Sequence, residues 1–166
     1  MTSLADRFRR WYEYERDCND KTLEMLATVP ADRRDTPQFR RAVGRTAHIA
    51  AARRRWLTRL GQLSGTMPPT FPDIALADLP AYIDETEAAW VAYLARLDDA
   101  ELAREFEWVT PDGKRLRWTV EGVLTQTFGH ACYHRGQVVQ LVAELGGKAV
   151  DTDYLYFAKP TPVEPG

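Results

Sequence analysis

Three histidines are all that this chain contains, and two of them stand four residues apart in His130-Ala-Cys-Tyr-His134. On a helix, positions i and i+4 lie on one face a turn apart, so both imidazoles can reach one ion. Two ligands rarely complete a site. His48 is the remaining imidazole. It stands in another helical stretch beside an apolar stripe, where it can face the pair across a bundle core. Three neutral imidazoles suit one divalent ion, zinc by default and nickel or iron(II) next. They leave a coordination position for water or substrate. The competing reading is three satisfied core or surface residues with no ion. The absence of histidine elsewhere weighs against it, because imidazoles that merely fill surface would be more scattered.

Neighbouring residues extend the candidate site. Gln126 precedes His130 by one turn and Gln137 follows His134 by three residues. Both fall on the metal face, where an amide can bind water or orient a ligand; the alternative is a polar residue at a bundle end. Arg55 lies two turns from His48 and can point inward, although Arg53-Arg54-Arg55 as a run reads as a solvated face. Arg135 reads as a solvated helix charge, with anion binding as the alternative. Cys132 falls near the opposite face from the pair and reads as structural. Trp11, Trp56 and Trp90 read as core anchors.

Missing motifs narrow the chemistry. A zinc-peptidase helix carries Glu directly after its first His, and here that position is Ala131. There is no nucleophile elbow, no phosphate-binding loop, no dinucleotide fingerprint and no paired-carboxylate motif of di-iron bundles.

These side chains need elements to hold them. Helical spacing of Leu4, Phe8, Trp11, Tyr12, Met25 and Leu26 predicts a first helix over about Ser3 to Val29, stopped by Pro30. A second runs from about Gln38 to Leu63, with Ile49, Ala52, Trp56, Leu60 and Leu63 in one stripe. Residues 64–73, rich in Pro, Gly, Ser and Thr, read as a linker long enough to cross the end of a bundle. A third helix spans about Asp78 to Leu97.

From Glu105 to Trp118 the period becomes alternating, with Pro111-Asp112-Gly113 as a hairpin loop. In that register Thr110 faces Lys114, Trp108 faces Leu116, Phe106 faces Trp118 and Glu107 faces Arg117. Aromatic groups then share one side and opposite charges the other. Thr119 caps a fourth helix that runs to about Leu145 and stops at Gly146-Gly147. The tail from Lys148 packs back as an extended strip and frays from Pro160. The expected fold is all-α: a four-helix bundle over residues 1–166, with a long crossover between the second and third helices and a small β-hairpin before the last.

Composition bounds the partners. A net charge of -2 provides no strong pull toward nucleic acid or an anionic membrane, and no apolar run approaches the length of a membrane span. Residues 1–7 lack the apolar core of a signal peptide. Two cysteines make no disulfide framework, so free thiols in a cytoplasmic setting are expected.

The stretch Gln126-Thr-Phe-Gly-His130-Ala-Cys-Tyr-His134-Arg-Gly-Gln137 resembles the signature helix of the DinB/YfiT-like superfamily. There a His, followed four residues on by His-Arg-Gly-Gln, is accompanied by a lone His on the second helix. His48-Ile-Ala-Ala-Ala-Arg-Arg-Arg-Trp56 stands where that His is expected. Phe8-Arg-Arg-Trp11 resembles the aromatic start of the first helix, and Asp151-Thr-Asp-Tyr154 the acidic-aromatic element after the last. The resemblance covers nearly the whole chain. It implies a four-helix bundle with a three-histidine metal site, assembled in many members as a homodimer. Characterised relatives include transferases and isomerases that use mycothiol, bacillithiol or glutathione; others are known only as damage- or stress-induced. Many relatives carry an additional His where Gln126 stands.

Three functions follow as expectations. The first is metal-dependent thiol S-transfer to a small-molecule substrate, with a low-molecular-weight thiol as cosubstrate. An arginine-rich chain, with Lys only at 21, 114, 148 and 159, is compatible with a mycothiol-using host. The second is hydrolysis of small molecules by a metal-activated water, which needs a general base that no motif supplies. The third is a non-catalytic, stress-related metal-binding dimer.

Overall fold

Three of the four long helices begin where a side chain satisfies an unpaired backbone N–H of the first turn. The computed structural model describes residues 2–110 and 112–160. Helix α1 (Leu4–Ala27) starts on a capping box: the Asp6 N–H donates to Ser3 Oγ at 3.1 Å while the Ser3 N–H donates back to Asp6. Thr36 caps α2 (Pro37–Arg59), whose first residue is a proline. The chain leaves α2 through Gly61, at φ 74°. Helix α3 covers Leu79–Leu94, and a short α4 covers Asp99–Ala103. Thr119 caps α5 (Val120–Glu144) as its spacing predicts, accepting from the Gly122 N–H at 3.1 Å.

Two apolar clusters give the four long helices their directions. One gathers Phe8, Trp56, Trp90 and Val120. The other gathers Met25, Phe39, Ile83 and Val142. Helices α1 and α5 therefore run one way and α2 and α3 the other. Helix α2 packs against α5 and α3, and α1 packs against the same two. Because α2 and α3 are parallel, residues 60–78 must return the full length of the bundle, which is the long crossover expected. Helix α3 ends where α5 begins, so the segment between them is free to cap that end.

The cap is the hairpin β1 (Glu105–Val109) and β2 (Arg115–Thr119). Its register pairs Phe106 with Trp118, Glu107 with Arg117 and Trp108 with Leu116, as alternation requires. Gly113 adopts φ 83° in the turn; Pro111 of the expected loop lies outside the described residues. Trp108 meets Trp56 edge-on at 5.3 Å, which docks the sheet on the end of α2. Trp118 lies so close to Gly122 that an added Cβ would fall 2.2 Å from its indole nitrogen.

Two expectations need correction. The short α4 carries no long apolar period and was not anticipated; Asp98 caps it by accepting from the Glu101 N–H at 2.8 Å. The tail is not simply an extended strip, because Asp153 caps a one-turn helix α6 (Tyr154–Ala158). Its aromatic face packs on α1, with Tyr154 edge-on to Tyr14 at 5.2 Å. The fraying expected beyond Pro160 concerns residues 161–166, outside the described residues.

The arginines depart furthest from expectation. Arg135 is 2% exposed and Arg53 4% exposed, so neither is a solvated charge. Both reach Glu15, itself 2% exposed, at 3.3 and 2.5 Å respectively. Arg135 also donates to the Tyr14 hydroxyl at 2.8 Å, which donates to the Thr152 carbonyl at 2.6 Å. The Glu15 carboxylate thus ties α1, α2 and α5 together, and the Tyr14 hydroxyl beside it anchors the tail. Arg54 and Arg55 of the same run are half-buried.

Candidate metal centre

Helices α2 and α5 cross at mid-length, between the two apolar clusters, and there the three histidines converge. Their ring centroids lie 4.8, 4.7 and 4.5 Å apart, pair by pair. One ring nitrogen from each can be chosen so that all three fall within 4.8 Å of one another. His48 Nε2 and His130 Nε2 face each other at 3.0 Å. Two imidazole nitrogens bound at the usual ~2.0–2.1 Å to one ion sit about 3 Å apart, so this pair is spaced for a shared ligand. Among the described residues no Asp, Glu or Cys joins the cluster.

The outer atoms of the rings fix their inner ones. His48 Nδ1 donates to the Thr70 carbonyl at 2.5 Å, which leaves Nε2 unprotonated toward His130. Thr70 belongs to the crossover, and the next residue, Phe71, stacks on the His48 ring at 4.1 Å and 14°. Gln137 Oε1 lies 2.9 Å from His134 Nδ1 and can accept a hydrogen bond from it, which keeps the proton on Nδ1 and leaves Nε2 free. Gln137 thus lies beside the histidine cluster.

Electrostatics favour the unprotonated rings that metal binding needs. Burial lowers the pKa of His130 to about 4, with His134, His48 and Arg53 acting in the same sense. Burial also lowers that of His48, helped by His134, Arg45 and Arg55 and opposed by the Thr70 hydrogen bond.

The remaining candidates fall as follows. Gln126 is half-buried, and its Oε1 is buried with no hydrogen-bond partner among the described residues. Arg55 donates to the Pro68 carbonyl, so its head group pins the crossover. Cys132 points away toward Arg135 Nη2, 3.4 Å from its sulfur, and burial raises the pKa of its thiol, which makes it a poor nucleophile. Trp56 and Trp90 are core residues, whereas Trp11 is half-buried and stacks on Phe128 at 5.1 Å.

Three contacts escaped the sequence reading. Thr70 and Phe71 sit in a linker without periodicity, so nothing in their spacing announces them. Arg45 places Nη1 3.2 Å from His134 Nδ1. Its signal was present: it stands one turn before His48 and therefore on the same face.

No helix of the described residues is long and apolar enough to cross a membrane. No curated protein matches the chain. The DinB family matches it over residues 1–166. With a three-histidine cluster on the second and last helices of a four-helix bundle, this chain belongs to the DinB family.

Proposed function

We propose that the chain is a metal-dependent thiol S-transferase, joining a low-molecular-weight thiol of the mycothiol or bacillithiol type to a small electrophile. The observation that carries this reading is the donor set: three convergent imidazoles with no carboxylate or thiolate among them. A bound divalent ion, zinc first and nickel or iron(II) next, would lower the proton affinity of a thiol so that its sulfur attacks near neutral pH.

The chain's own residues prepare that position. Thr70 and Gln137 hold two rings with Nε2 inward. Phe71 covers one face of His48. Gln126, one turn from His130, keeps a buried Oε1 without a hydrogen-bond partner among the described residues. In the reaction the thiol loses its proton to solvent and a sulfur–carbon bond forms; in a substitution the leaving group departs with the pair of the broken bond, and in an addition the π pair moves to the neighbouring atom, which takes a proton from solvent. A hydrolytic reading would call for a general base, and the cluster contains no carboxylate. The reading extends to a homodimer, which sedimentation of the metal-loaded protein measures.

The test uses protein purified without a polyhistidine tag and loaded in turn with zinc, nickel and iron(II). Consumption of mycothiol, bacillithiol and glutathione is followed against a broad panel of electrophiles. Thiol-dependent turnover that His134→Ala abolishes is expected. No turnover with any metal and thiol, or hydrolysis of esters, amides or lactams without thiol, would overturn the proposal.

A further inference from the structure

The metal face of α2 carries positive charge that no acid balances. Arg45, His48 and Arg55 occupy one side of the helix, at spacings of three and seven residues. None of the ion pairs among the described residues includes Arg45 or Arg55. Arg55 satisfies itself on the Pro68 carbonyl. Arg45 does not: its Nε is buried and without an acceptor, and its contact at the cluster is His134 Nδ1 at 3.2 Å.

That contact is incompatible with a ligating His134. Nδ1 can accept from Arg45 only while the ring's proton sits on Nε2, the nitrogen that faces the cluster. Once Nε2 binds an ion, Nδ1 must carry the proton, and Gln137 Oε1 at 2.9 Å is placed to accept it. Arg45 is then a guanidinium beside a dication with no acceptor. Planar, doubly donating guanidinium groups pair best with carboxylates and phosphates.

We infer that Arg45 is the anion-binding residue of this site, and that the molecule entering beside the metal carries an oxyanion, of which a carboxylate is the simplest. The inference rests on the thiol-transfer reading only for where the oxyanion resides, on the thiol or on its electrophile.

Cobalt(II)-loaded protein provides a readout without turnover. It is titrated with 3-mercaptopropionate and, separately, with the neutral 3-mercaptopropionamide, and the sulfur-to-cobalt absorption band gives each Kd. The wild type should bind the carboxylate about tenfold or more tightly, as a charge-assisted pair implies. The ion's own charge contributes in every variant, so the change in ratio reports on Arg45. Arg45→Met should lower the ratio about tenfold, to whatever preference the ion alone provides, and Arg45→Lys should keep part of the difference and provide a second variant that retains the charge. A ratio near one in the wild type, or one unchanged in both variants, overturns the inference. If neither thiol produces the band, the thiol reading fails by itself. Propionate against propionamide, followed by the cobalt d–d bands, then decides the anion site alone. Propionate binding that Arg45→Met weakens would place the oxyanion on the electrophile or on another substrate.

Discussion

His130 holds the most perturbed imidazole of the cluster. Its pKa is lowered from 6.5 to about 4, first by burial and then by the neighbouring imidazoles and Arg53. A histidine neutral in the folded state and protonated in the unfolded state adds stability above the unfolded pKa. That stability is lost as pH falls through the window between the two values. The metal-free protein should therefore weaken as pH falls from about 6.5 toward about 4. His48 shifts in the same direction and adds to the slope. Denaturant midpoints at steps across this range measure it, with His130→Gln as the comparison. An equal slope in the variant would show that other groups carry the dependence. The identity and helical spacing of His130 and His134 were legible in the sequence. The depth of the shift was not, since it depends on what α2 lays against them.

At the scale of elements, the link between α1, α2 and α5 is the carboxylate of Glu15 between Arg53 and Arg135. Removing one partner from a buried ionic network strands the others without water, at a cost of ~3–5 kcal/mol. Glu15→Ala should lose about that much in chemical denaturation, since two guanidiniums remain buried. Replacing Glu13, an exposed residue whose ion pair lies at the surface, should cost under about 1 kcal/mol. A similar small loss for both would mean that water reaches Glu15. The helices themselves were readable from caps, stops and apolar spacing, and the hairpin register from its alternation. The short α4 and α6 were not. One-turn helices have too few residues for a period, and local caps at Asp98 and Asp153 decide them.

For the whole molecule, the three clustered histidines come from α2 and α5, and the crossover holds one of them through Thr70. Such a constellation exists only when the bundle is closed, so an ion that binds it stabilises the fold by mass action. Free metal at a hundred times its Kd should add about 2.7 kcal/mol, and a chelator should remove it. Thermal unfolding with and without chelator measures the difference, and His48→Ala should lose the metal-dependent part. A variant that keeps it would show that His48 is not a ligand.

The amino-acid sequence alone determined the four long helices, the hairpin register and the placing of His130 and His134 on one face. Those features depend on periods and caps within a few residues of chain. Tertiary structure decided the rest. It brought His48 to the pair, laid Thr70 and Phe71 over it, and buried Arg53 and Arg135 against Glu15. A helix period gives the direction in which a side chain points, but not whether a neighbouring helix, a loop or water lies there. For Arg135, next in sequence to a candidate ligand, α1 lies there; for Arg45, it is the ring of His134.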